Sequence, residues 1–168
     1  MIFREIGIYL TFALILGILS HVLGESIPRD AIRFDKFPYA SYLWEDGGDI
    51  YRKLRVETWK KILPDKSRYV RTMVKKNLGE DRSSKHIKLL IEETCVAELV
   101  HWLLLFASPL FRLFPESVFG IVASILYGLS NVPFIMIQRY NRPRLVALYR
   151  KTLVREALTY EDSHLVQQ

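Results

Sequence analysis

The chain has 168 residues, half of them hydrophobic and a quarter charged, with a net charge of +6. The two kinds are segregated along the sequence, which excludes an ordinary soluble domain and points to a small, basic, membrane-embedded protein. The single cysteine, Cys95, excludes an intramolecular disulfide framework, and basic residues set beside apolar segments, rather than on a soluble face, exclude nucleic acid as a partner.

A bilayer core needs about 20 predominantly apolar residues, and three stretches approach that length: about 6–23, 96–111 and 118–137. Arg4 precedes the first as it would in a secretory signal. Ser20-His21-Val22-Leu23-Gly24 is a poor small-x-small cleavage site, so this span reads as a retained anchor with His21 at its interface. In the loop that follows, residues 24–95, Gly47-Gly48 marks a turn. From Asp49 to Leu63, Ile50, Leu54, Trp59 and Ile62 recur among basic residues at roughly helical spacing, as in an amphipathic helix lying on a membrane surface. Pro64 and Asp65 end it. A second helix starts with Ser83 or Ser84 as its cap and runs through Leu90 directly into the second span. The expected fold is all-α: an integral membrane protein of about three transmembrane helices plus amphipathic interfacial helices. It forms a single membrane domain over 1–168, with a basic tail from 138.

The second span opens on Glu93-Thr94-Cys95-Val96-Ala97-Glu98-Leu99-Val100-His101-Trp102. Ionisable groups in an apolar segment are costly and mark function. Glu98 and His101, three residues apart, share one helix face. In a symmetric helical hairpin turning at Phe114-Pro115-Glu116, the position opposite His101 is near Ser130 and Asn131, and the end of the third span brings Gln138, Arg139, Asn141, Arg142 and Arg144 to the same level. Glu-x-x-His is also a di-iron ligand pattern, but that architecture needs two such motifs and two further Glu residues, and only one lies in a span here; no metal is expected. Cys95 reads as a small buried residue rather than an acyl-enzyme nucleophile or a palmitoylation site.

Orientation follows from the basic residues. The loop from Gly24 to Cys95 carries 16 Lys and Arg against 12 Asp and Glu. It exceeds the length of about 60 residues over which the positive-inside rule holds best, so the tail, with Arg139, Arg142, Arg144, Arg150, Lys151 and Arg155, carries the assignment. Loop and C-terminus are expected to face the cytoplasm of a bacterial inner membrane.

Tyr51 with Lys53, Trp59-Lys60 with Leu63-Pro64-Asp65, Glu93-Thr94 with Ala97-Glu98-Leu99 and His101-Trp102, and Asn131-Val132-Pro133 with Gln138-Arg139-Tyr140-Asn141-Arg142-Pro143-Arg144-Leu145 resemble the glycosyl-4,4'-diaponeurosporenoate acyltransferase family of carotenoid biosynthesis. The resemblance covers most of the chain from Gly24 to Arg150. It implies transfer of a fatty acyl group to a sugar hydroxyl on a glycosylated, membrane-dissolved carotenoid carboxylate, the final step toward staphyloxanthin-type pigments.

Neither a His-x-x-x-x-Asp motif nor a Gly-x-Ser-x-Gly elbow is present, so acyl transfer must rest on the polar cluster. His101 is the candidate general base toward the acceptor hydroxyl, Glu98 its orienter or charge partner, and Asn131, Gln138 or Arg139 the donors to the developing oxyanion. Arg139, Arg142 and Arg144 suit the phosphates of an acyl donor, acyl-CoA or a phospholipid; Asn141, Trp59 and Lys60 complete the expected substrate-binding set. No cofactor beyond the acyl donor is expected, and the expected partners are membrane lipid, a lipid-soluble glycosylated acceptor and a second copy of the chain in a homodimer. The alternative is a non-catalytic membrane subunit, lipid-binding or scaffolding, whose Glu98 and His101 serve only helix packing.

Overall fold

The structure, a computed structural model, describes residues 2–63, 82–113 and 118–165. Its described residues form α1 (Ile2–Ser26), α2 (Asp49–Lys53), α3 (Val56–Trp59), α4 (Ser84–Ala107) and α5 (Val118–Leu165), with 3₁₀ turns at Arg29–Ala31, Leu43–Gly48 and Ser108–Leu113 and no strand among them. α1, α4 and α5 are each long and apolar enough to cross a membrane. The protein is therefore an all-α integral membrane protein with three spanning helices. The stop at Pro64 and Asp65 and the turn at Phe114-Pro115-Glu116 lie outside the described residues.

α4 begins where its cap was expected. The Ser83 hydroxyl accepts the His86 N–H at 3.3 Å, and the Glu156 carboxylate accepts the Ser84 N–H at 2.9 Å, so an anion sits against the first turn, where the helix dipole favours one. From there α4 runs unbroken into the span, burying Ile87, Ile91, Thr94 and Glu98 along one face.

Two expectations need correction. The stretch 49–63 is two short helices, not one. Arg55 takes a left-handed conformation (φ 53°) between them, its N–H closes a tight turn on the Arg52 carbonyl, and the Trp59 indole donates to the Leu54 carbonyl at 3.0 Å. The Leu54 carbonyl, which Trp59 satisfies, thus needs no continuing helix. Nor is the region after 137 a mere tail: α5 continues to Leu165 through both Pro133 and Pro143. Pro143 has no N–H to give the Arg139 carbonyl one turn back. Gly48, itself at φ 98°, lies against this turn, its missing Cβ 3.5 Å from the Pro143 ring and 3.9 Å from the Arg139 oxygen. That φ is what calls for glycine here, since the approach itself is an ordinary contact.

The chain divides into two compact units, Met1–Ile32 with Cys95–Gln138, and Arg33–Thr94 with Arg139–Gln168. In the first, Phe111 is the aromatic centre, with ring centroids 4.9 Å from Phe12, 4.9 Å from Tyr127 and 6.2 Å from Tyr9. Leu10, Leu14, Ile18 and Val22 form an exposed row at four-residue spacing on α1, the apolar face that lipid solvates. The turn at Ser108–Leu113 lies close against α5 at Gly128, where a Cβ would stand 2.8 Å from the Ser108 Oγ.

In the second unit two buried arginines of α5 hold the loop. Arg139 ion-pairs with Glu45 through its Nε, and its two Nη atoms donate to Glu45 Oε2 at 3.1 Å, the Pro38 carbonyl at 3.1 Å and the Ala40 carbonyl at 3.2 Å. Glu45 also accepts from the Tyr51 hydroxyl at 2.5 Å and the Tyr42 N–H at 2.8 Å. Burial alone would raise the Glu45 pKa, but the bonds from Arg139, Tyr51 and the Tyr42 N–H outweigh it and hold the carboxyl below its ordinary value. Burial pushes the Tyr51 phenol up, and its bond to Glu45 adds to the rise. Arg142 donates to the Thr94 hydroxyl at 3.0 Å and to the carbonyls of Thr94 and Tyr39 at 3.1 and 2.8 Å.

Two predictions follow from these contacts. Gly128→Val should destabilise the first unit by about 1–3 kcal/mol through overpacking, whereas Gly7→Val, where a Cβ meets nothing within 4 Å, should not; thermal melts in detergent compare them. Because Glu45 has a depressed pKa, its stabilisation is complete above the ordinary carboxylate range and is lost as pH falls through its folded value. Glu45→Gln should cost about 3–5 kcal/mol at neutral pH by stranding Arg139. The gap in melting temperature between wild type and this variant should close on acidification below about pH 4.

Candidate functional site

α4 and α5 bring His101 and Asn131 together within the first unit, His101 Nδ1 lying 2.9 Å from Asn131 Oδ1. The expectation that Asn131 stands opposite His101 is thus met in the geometry. Asn131 Nδ2 donates to the Tyr127 carbonyl at 2.8 Å, which fixes the amide: turned over, it would set oxygen against oxygen. Its Oδ1 must then accept, so His101 donates to it through Nδ1. The Phe134 ring stacks on the imidazole at 4.7 Å between centroids and 10° between planes. One face and one nitrogen of His101 are therefore set by α5.

Glu98, one turn before His101 on α4, is 1% exposed and accepts from the Trp102 indole at 3.3 Å. Trp102 in turn stacks on Phe106. Cys95 is fully buried in the same unit, and Gln138 is buried two turns along α5 from Asn131.

The remaining expected residues fall in the second unit and separate into two groups. Arg139 and Arg142 are 7% and 4% exposed. Their donors go to Glu45, Thr94 and main-chain carbonyls as described, while Tyr42 and Tyr39 cover their guanidinium planes at 4.4 and 5.5 Å. This is how a buried guanidinium is satisfied, and it gives both residues a structural task that the sequence reading did not foresee. Lys60, Asn141 and Arg144 form the other group, around the Tyr140 ring. Lys60 donates to Asn141 Oδ1 at 2.9 Å and lies 4.6 Å from the ring centroid, and the exposed Arg144 lies 3.8 Å from it. The Tyr140 hydroxyl donates to Glu57 at 3.2 Å. Partial burial lowers the Lys60 pKa, and the charge of Arg144 lowers it further against the pull of Glu57. Trp59, next to Lys60, has its indole N–H on Leu54.

Sequence reasoning missed Glu45, Tyr127 and Phe134. Glu45 sits in Tyr-Leu-Trp-Glu-Asp-Gly-Gly, and an acidic side chain between aromatics and a glycine turn was the one available signal; its partner is 94 residues away. Tyr127 acts through a backbone carbonyl, which no side-chain pattern marks.

Comparison with known proteins gives one consistent result. The profile of the family described as glycosyl-4,4'-diaponeurosporenoate acyltransferase matches residues 35–151. Proteins of that name from Staphylococcus aureus and Staphylococcus haemolyticus are 34% and 30% identical to the chain over 130 residues, covering 76% of it in each case and 78% and 74% of the relatives. No solved structure matches. The chain belongs to the glycosyl-4,4'-diaponeurosporenoate acyltransferase family and is an acyltransferase.

Proposed function

We propose that the protein transfers a fatty acyl group to a sugar hydroxyl of a glycosylated carotenoid acid dissolved in the membrane, with His101 as general base. The names of its relatives support the acceptor class, and the observation that carries the catalytic reading is the His101–Asn131 bond, which holds an imidazole in fixed orientation inside a spanning helix pair. His101 Nε2 takes the proton of the sugar hydroxyl as its oxygen attacks the acyl carbonyl. The tetrahedral intermediate then expels the donor's leaving group, a thiolate if the donor is acyl-CoA, and the imidazolium returns the proton to it. Glu98, on the same helix face, offsets the charge on that imidazolium.

Asn131 works in this scheme as an orienter, because its Nδ2 is committed to the Tyr127 carbonyl. Gln138 is the side chain assigned to the developing oxyanion. The long loop and the C-terminus lie on the cytoplasmic side in this reading, supported by the basic residues of the tail. A homodimer would help three spans enclose a lipid substrate.

The same interhelical bond would also serve a non-catalytic subunit that needs only packing, so the test must separate turnover from folding. Purified protein in detergent is offered acyl-CoA and a glycosylated carotenoid acid, and products are read by mass spectrometry. His101→Gln should lower kcat by about 10²–10⁴-fold with little change in KM. Asn131→Leu should lower kcat with a milder loss, since it frees the ring without removing it. Turnover within a few-fold of wild type for a well-folded His101→Gln protein would leave His101 a packing residue.

A further inference from the structure

Lys60 and Arg144 are both held near one aromatic ring, which places the two cations less than about 9 Å apart. Holding two like charges together costs free energy that a bound anion would recover. With Lys61, three cations act here against one carboxylate, Glu57, which accepts from the Tyr140 hydroxyl. The donors are also underused. Among the described residues, Arg144 has no hydrogen-bond acceptor and no ion-pair partner, and Asn141 accepts from Lys60 through Oδ1 while its Nδ2 has no acceptor. The contrast with Arg139 and Arg142 in the same unit is direct, since those guanidiniums donate to protein groups through their Nε and both Nη atoms.

We propose that Lys60, Asn141 Nδ2 and Arg144, arrayed around Tyr140, form a phosphate-binding site. The ring fixes both cations in advance by cation–π contact, so little side-chain freedom is lost when the anion arrives. A phosphate oxygen accepts from the Arg144 fork, a second from the Lys60 ammonium, and the Asn141 amide adds a neutral donor. Two sources carry this chemistry: the pyrophosphate of a nucleotide-bearing acyl donor, and the phosphodiester of a phospholipid headgroup.

The test has an arm for each source. Coenzyme A is titrated calorimetrically into the full-length protein in detergent. Separately, protein from nanodiscs containing phosphatidylglycerol is examined by native mass spectrometry for retained lipid. Wild type is compared with Arg144→Gln, Lys60→Gln and, as control, Arg150→Gln, an exposed change on the same helix. At least one arm should weaken by about tenfold or more in both site variants and not in the control, and the affected arm should weaken further as salt is raised. A loss confined to coenzyme A assigns the donor, and a loss confined to the lipid assigns the headgroup. The site is overturned if the variants match wild type within twofold in both arms, or if wild type binds neither probe. Arg144 is exposed and bonds to no described residue, so Arg144→Gln keeps the fold and decides the matter alone should Lys60→Gln misfold. The coenzyme A arm rests on the acyl-transfer reading; because it reads binding without turnover, a protein that transfers no acyl group still reports on the site.

Discussion

A polar side chain withdrawn from water costs several kcal/mol unless another group of the protein replaces the lost hydrogen bonds, and this chain buries an unusual set for its size: Glu45, Glu92, Thr94, Glu98, Asn131, Gln138, Arg139 and Arg142. Among the described residues no buried side-chain nitrogen or oxygen is left without a partner. Each unit meets the demand in its own way. The second spends a whole carboxylate and a string of loop carbonyls on two arginines, so the loop from Pro38 to Glu45 takes its shape from the donors it must satisfy. The first uses side chain to side chain contacts instead, His101 to Asn131 between helices and Trp102 to Glu98 along one.

The spans were legible because apolar length is a property of local sequence, and the cap at Ser83 was legible for the same reason. The pairing of His101 with Asn131 was legible from counting outward from an assumed turn, since two antiparallel helices of equal rise keep register. What escaped was everything set by distant chain. Nothing local to Arg55 predicts a left-handed residue between two helical turns. Pro143 reads as a stop by its own chemistry, yet the helix continues where Gly48, nearly a hundred residues earlier, packs against the turn that the proline weakens. Glu45 has no motif, because its meaning is supplied by Arg139.

The arginines show why composition cannot assign roles. Arg139, Arg142 and Arg144 lie within six residues, and all three suit phosphate equally well on charge. Burial and donor count separate them: two are enclosed with their guanidiniums committed to the protein, and one is exposed and, among the described residues, meets only an aromatic face. A guanidinium already bonded to a carboxylate and to carbonyls has little left to offer a ligand, and freeing it would strand Glu45. One stacked on tyrosine keeps its edge available, because the ring occupies the face and leaves the N–H groups pointing outward.

The same logic bears on His101. An imidazole used only to tie two helices could be held equally well through either nitrogen and in either tautomer. Here the tie is made through Nδ1 to an oxygen whose own amide is locked by the Tyr127 carbonyl, and Phe134 keeps the ring in one plane. A fixed ring orientation serves packing, and it is also what the proposed base needs if it is to meet a hydroxyl without first reorganising. Preorganisation of this kind is worth more in a low-dielectric surrounding than it would be at a surface. The helix-packing bond and the proposed catalytic geometry are therefore one arrangement: the contact that satisfies a half-buried histidine between two helices also fixes the orientation in which its ring would act.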